Sequence, residues 1–329
     1  MATSSINVPN ASPLPGSRSF LSRLSDGDEI ARLITFLFAA TVVLISVALV
    51  FELWIGSTLP RHKFGLSFFV TRIWDPIAEN FGALPFIYGT LMTAGVALFL
   101  AVPLGIGAAI FLAELAPPKV SDSLQFFIDL LAAVPSVIYG LLGVFIVVPI
   151  MREWIQPALK STLGFLPLFQ GPAYGVGFLT AGIVLAIMVI PYIISVSREV
   201  LLSVPQDQRE AALALGSTRW ESTWKVVVPF AKTGIMGSIF LALARALGET
   251  MAVTMVIGNT PTISGSLFSP GYSIAAVIAN EFTEATGDLY LQALIELGLV
   301  LFLLTFILNG LARLLMLLTT QRGSGTGHA

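Results

Sequence analysis

Apolar residues in this chain gather into six long runs, Leu33–Ile55, Leu84–Leu112, Leu124–Ile150, Val176–Ser195, Thr233–Ile257 and Leu291–Leu318, separated by shorter polar stretches. A helix crossing the roughly 30 Å hydrocarbon core of a bilayer needs about 20 mostly apolar residues. Each run meets that length, so the pattern predicts six membrane-spanning helices. Pro103 and Pro135 stand inside the second and third runs and predict a kink or a break in each, since proline removes a backbone donor. Residues 1–28 are rich in serine and proline and read as a disordered tail, and 321–329 as a flexible one. The first run is too long for a secretory signal, and no small-residue cleavage site follows it.

Composition agrees with this reading. Of 329 residues, 56% are apolar and only 11% charged, whereas a soluble domain carries roughly 25% charged residues. A net charge of −2 excludes a nucleic-acid binder. The absence of cysteine removes disulfides, iron–sulfur clusters and thiolate zinc sites. The two histidines, His62 and His328, lie in polar flanks, which leaves no histidine-based active site and no metal site to expect.

Lysine and arginine set the orientation. The amino-terminal segment, the second and fourth loops and the carboxyl-terminal end hold eleven of them, against five in the first, third and fifth loops. Both termini are therefore expected in the cytoplasm, and the acidic fifth loop (Glu281, Glu284, Asp288) outside. No polar stretch reaches the roughly 50 residues of a small independent domain. No G-x-x-x-x-G-K-[ST] loop occurs either. The chain is not expected to be an enzyme; any nucleotide hydrolysis belongs to another polypeptide.

The fourth loop, 198–232, carries helix punctuation. Ser203-Val204-Pro205-Gln206 has the spacing of a helix start, with Ser203 as cap. Gly216 suits a left-handed helix end. Thr218 and Glu221 have capping-box spacing and open a second helix running toward Pro229. A helical hairpin is predicted, with Glu210, Ala211 and Ala212 on its first arm. Two alanines allow another protein to approach the backbone closely, and Glu210 offers a charged anchor.

Within the fifth run stands Arg245-Ala246-Leu247-Gly248-Glu249-Thr250-Met251-Ala252. Arg245 falls about 20 Å beyond Lys232 along a straight helix. A lipid-facing arginine at mid-bilayer costs at least about 2.5–3.5 kcal/mol, so it must face protein or water. Glu249, four residues on, is expected on the same helical face. Either the two neutralise each other in packing, or they line a path on which Arg245 makes charge-assisted bonds to an anion. Thr250, beside them, and Ser136, at a half-helix start after Pro135, complete the candidate pathway residues. Asp129, Glu52 and Glu296 lie nearer span ends, where snorkelling or interhelical hydrogen bonds account for them. Gly234 and Gly237 permit close helix packing.

Two sets of residues carry a family resemblance. Glu210-Ala211-Ala212, Gly216, Val226, Val228 and Pro229 resemble the EAA signature of ABC importer permeases, with valines for an isoleucine and a leucine. The stretch Arg245–Ala252 resembles the fifth-helix signature of the permease C subunits of phosphate-specific ABC importers. Trp74-Asp75-Pro76, Phe81–Leu84, Ile87–Thr90 and Pro135–Gly140 are similar to that family too, so the likeness spans nearly the whole chain after residue 30. The resemblance implies an all-α bundle of the type I ABC importer permease (MetI-like) fold that imports inorganic phosphate. It further implies a pore shared with a second, homologous permease and an extracytoplasmic phosphate-binding protein. Two cytoplasmic ATP-binding subunits would use ATP and magnesium and receive Glu210, Ala211, Ala212 and Gly216 as a coupling helix; no cofactor is implied on this chain. A permease for sulfate or molybdate remains the nearest rival, and an ion-driven secondary transporter a distant one.

Overall fold

The computed structural model describes residues 28–321; the tails expected at 1–28 and 321–329 lie outside them but for Asp28 and Gln321. Among the described residues six helices are long and apolar enough to cross a membrane. The first, α1 (Asp28–Gly56), is one uninterrupted helix. A short α2 (Thr58–Phe64) follows it. The remaining spans are α3 (Leu84–Leu115), α5 (Ser136–Leu163), α6 (Phe178–Leu202), α8 (Arg219–Gly248) and α11 (Asp288–Gln321). Between them lie α4 (Pro118–Ala132), α7 (Gln206–Ala214), α9 (Met251–Val256) and α10 (Ile274–Glu281).

The centre of the bundle is α6, with 67% of its most apolar stretch buried against 33% or less for every other span. It packs along α3 and also touches α4, α8 and α9. Lipid is as apolar as leucine, so association in a membrane relies on close van der Waals contact and small residues. Accordingly, Gly89, Thr93, Ala97, Ala101, Gly105 and Ala109 form a buried stripe at four-residue spacing on α3. A Cβ at Gly105 would stand 2.7 Å from Ile193 of α6, and one at Gly182 of α6 would stand 2.4 Å from Val96. Gly234 of α8 likewise admits Val200, at 2.3 Å from its ideal Cβ, whereas an added Cβ at Gly237 would meet nothing within 4 Å among the described residues.

Prolines shape the spans in two ways. Pro117, Pro149, Pro157 and Pro229 each stand two residues beyond a five-residue π-turn, at 111–115, 143–147, 151–155 and 223–227. At Pro149, Pro157 and Pro229 the wider turn, closed by i to i−5 bonds, makes room for a ring that would strike the carbonyl four residues back in a regular helix, whereas before Pro117 the helix ends at an extended Ala116. Pro103 and Pro191 sit inside α-helix without interrupting it.

Two expected spans are redrawn. The run Leu124–Ile150 is not one helix: α4 ends at Ala132, Pro135 is extended (ψ 141°), and the crossing is Ser136–Leu163. The polar side of α4 explains the division, since Ser121, Gln125 and Asp129 turn toward α6. The run Thr233–Ile257 is also broken. Its helix begins 14 residues earlier, at Arg219, and ends at Gly248, after which Glu249 is extended (ψ 126°) and α9 starts afresh. The fifth loop is folded rather than free: Phe268, Tyr272, Ile274 and Ala276 are buried, and Tyr88 of α3 donates to the Ser264 carbonyl.

Candidate functional site

Two places concentrate chemistry: the chain breaks around Arg245, and the hairpin between α6 and α8.

At the first, the break after α4 leaves its last carbonyls without helical partners. Tyr139 of α5 donates to the Leu131 carbonyl and Tyr192 of α6 to that of Ala132, each at 2.8 Å. The guanidinium carbon of Arg245 lies 4.1 Å from the centroid of the Tyr192 ring, a cation–π geometry. Among the described residues Arg245 has no ion pair, and its buried Nε has no hydrogen-bond partner. The arginine is thus a half-buried cation held on one face by an aromatic ring, with donors left for an incoming acceptor.

Glu249 is not the partner expected for it. The chain turns out of the helix at that residue, and Oε1 of Glu249 accepts from the Ala252 amide (3.2 Å), capping α9. Thr250 precedes α9; its hydroxyl donates to the Gly248 carbonyl at 3.3 Å. Expecting one helical face for Arg245 and Glu249 assumed a continuous helix, and the break removes that premise. Ser136 is the first residue of α5, one turn before Tyr139, and half-buried. The two half-helices cross at Gly140, where an added Cβ would stand 2.5 Å from Met255 and 3.2 Å from the Ala252 Cα.

A polar seam joins this site to the hairpin end of α6. Arg198 donates to Ser121 (3.0 Å) and Asp122 (3.3 Å). One turn on, the Asp129 carboxylate accepts from Ser195 at 2.8 Å and from Gln125 at 2.7 Å. The next turn of α6 carries Tyr192 and, over it, Arg245. Asp129 therefore makes the interhelical bond expected of it.

The hairpin forms as its sequence punctuation predicts, with one exception. Gly216 is left-handed (φ 86°), its amide bonds to Leu213 and that of Ser217 to Ala212, the double closure of a Schellman motif. Thr218 and Glu221 form the reciprocal capping box. Ser203 is not a cap: its hydroxyl bonds back to Val200, and Pro205 stands at the N-cap of α7. Glu210 and Ala211 face solvent, while Ala212 is buried, so only one of the two alanines is exposed. On either side of the turn, Leu215, Trp220 and Trp224 are exposed, the two indoles in edge contact at 5.6 Å. The second arm of the hairpin is continuous with α8, so a force on the turn acts directly on the helix bearing Arg245.

Sequence reasoning missed the residue that ties the hairpin down. Arg209 pairs with Glu114 at the end of α3 (2.8 Å), with 20% and 10% of the two side chains exposed. It also donates to the carbonyls of Leu201 and Val204. Its position next to Glu210 was the available signal; Glu114, 95 residues away, gave none.

Comparison with known proteins places this architecture. The family model of binding-protein-dependent transport system inner membrane components matches residues 101–317. The phosphate transport system permease protein PstC of Mesorhizobium japonicum is 47% identical over 284 residues, 85% of this chain and 87% of that protein. The protein of the same name from Haemophilus influenzae is 50% identical, over 86% of this chain and 90% of that one. Among solved structures, a chain of a bacterial ABC transporter involved in alginate import shares the fold, with a TM-score of 0.56 and 17% identity across 88% of this chain and 98% of that one. With its six crossings and EAA hairpin, the chain is an all-α, multi-pass membrane permease of the type I ABC importer (MetI-like) fold and belongs to the family of binding-protein-dependent transport system inner membrane components.

Proposed function

We propose that this chain forms half of the conducting path of an ATP-driven importer of inorganic phosphate, with Arg245 as the anion contact within the membrane. The observation that carries the reading is the half-buried guanidinium stacked on Tyr192, with an unpartnered Nε and no carboxylate paired to it. A membrane protein does not keep a lone cation at such a break without use for its charge. Planar guanidinium donors match phosphate oxygens geometrically. The relatives at 47% and 50% identity, both phosphate permeases by name, support phosphate as the anion.

Ser136 and Thr250 flank the path at the starts of α5 and α9, and Glu249 contributes by holding the break open. The hairpin of Glu210, Ala211, Ala212 and Gly216 is the surface for two ATP-binding subunits, which supply hydrolysis with ATP and magnesium. A second, homologous permease closes the path from the other side, and an extracytoplasmic phosphate-binding protein delivers the anion. Both termini and the hairpin then lie in the cytoplasm, in keeping with the excess of lysine and arginine there. Closure of the ATPase pair pushes on the hairpin, and α8, continuous with its second arm, carries the motion to Arg245.

Reconstituted transporter with Arg245→Gln tests the reading. Phosphate uptake is expected to fall by about 100-fold, the worth of one to two charge-assisted hydrogen bonds, while the subunits still assemble. Uptake at the unaltered rate would remove Arg245 from the path. Sulfate or molybdate carried in preference to phosphate by the unaltered protein would move the assignment to that oxyanion.

A further inference from the structure

On α11, Glu296 is 2% exposed, and among the described residues its Oε2 has no hydrogen-bond partner. Snorkelling and interhelical bonding, the expectation for an acid near a span end, do not apply to it. It lines a cavity of about 460 Å³ together with Trp54, Arg61, Phe69, Leu299 and Leu303. Arg61 is held in place: its guanidinium lies 3.7 Å from the Trp54 ring centroid, and it donates to the carbonyls of Ser57 and Trp54. Arg61 and Glu296 share the cavity without forming an ion pair. Trp54, Leu66 and Leu303 are exposed at its rim. By the parity of six crossings, this is the end of the bundle opposite the hairpin.

A carboxylate buried without a hydrogen-bond partner costs several kcal/mol; Arg61 shares the cavity but donates to backbone carbonyls, so an incoming donor would offset that cost. We propose that the cavity binds the headgroup of a phosphatidylethanolamine molecule from the surrounding leaflet. The lipid phosphate meets the fixed guanidinium of Arg61. The ammonium, two carbons away, donates to Glu296, and the acyl chains run out over Trp54, Leu66 and Leu303. The charge pattern selects this headgroup: a phosphatidylglycerol brings no cation for Glu296, and a phosphatidylcholine brings a cation without N–H donors.

The test is lipid retention by the assembled transporter. The complex is purified from bilayers of equal parts phosphatidylethanolamine, phosphatidylcholine and phosphatidylglycerol, washed in detergent, and its bound lipid counted by native mass spectrometry. The ethanolamine lipid is expected at about tenfold over either competitor, the ratio that one charge-assisted bond supports. Glu296→Gln and Arg61→Gln are each expected to abolish the preference, and Asp122→Asn, at an exposed pair elsewhere, to leave it intact. Equal retention of the three lipids by the unaltered protein overturns the proposal, and that comparison needs no variant to fold. A photo-crosslinker at Leu299 that captures a polypeptide instead of lipid overturns it as well.

Discussion

Replacing Arg209 with alanine tests how the hairpin transmits force. The first arm, α7, buries a single side chain, Ala212, and a buried methyl is worth under about 1 kcal/mol. The pair between Arg209 and Glu114, 10–20% exposed, therefore outweighs apolar contact in holding α7 against the end of α3. Removing one partner of a fully buried pair costs about 3–5 kcal/mol; partial access of water reduces this to roughly 2–3 kcal/mol. At 1.4 kcal/mol per factor of ten, the docked fraction of α7 shifts by roughly 30- to 150-fold. Hydrogen exchange reads this directly: amides of α7 should exchange faster by that factor, while those of α6 stay protected. In the reconstituted transporter, ATP hydrolysis should persist while phosphate moved per ATP drops about tenfold or more. The double replacement Arg209→Met with Glu114→Met should restore protection, since an apolar pair of similar volume substitutes for a buried ion pair. Unchanged exchange in α7 of Arg209→Ala, with unchanged uptake per ATP, would refute the strut.

Three further outcomes follow from named contacts. Gly140→Val places branched atoms where a single Cβ already meets Met255 at 2.5 Å; α9 should separate from α5 and uptake be lost, with the melting temperature of the purified complex showing the clash. Glu249→Gln keeps an acceptor for the Ala252 amide, so uptake should remain within about threefold, whereas Glu249→Ala loses a cap worth about 1 kcal/mol and should fall further. At Gly216 the surroundings are open and only the left-handed φ of 86° constrains the residue, so asparagine should be tolerated. Valine should cost about 1–2 kcal/mol and reduce uptake per ATP, as read by the same flux and hydrolysis assays.

Legibility in the sequence followed the range of the interactions. The spans were visible because each needs only its own apolar length. Gly216, Thr218 and Glu221 were visible because their bonds close within four residues. The break at Glu249 was not, because glutamate is a good helix former and nothing local says that its carboxylate turns back to cap Ala252. At Pro135 the signal existed, yet Phe126, Phe127, Leu130 and Leu131 make the end of α4 read as one apolar run with the span that follows, and the polar face bearing Gln125 and Asp129 gains meaning only against Ser195 of α6. Arg245 was identified as a buried cation, but its support, Tyr192, lies 53 residues earlier and no periodicity links them. Glu296 was set aside for its position near a span end, and only the packing around it shows that it is buried and lines a cavity.

The central claim is that Arg245 faces a water-filled route and not lipid. The chain contains no cysteine, so Arg245→Cys gives it a single thiol, and labelling is read on this chain alone. Its reaction with a negatively charged methanethiosulfonate, which reacts from water alone, is to be measured in resting and ATP-trapped transporter. Labelling is expected in one of the two states and to be slower in the other. Labelling only by an apolar maleimide, equal in both states, would contradict the account.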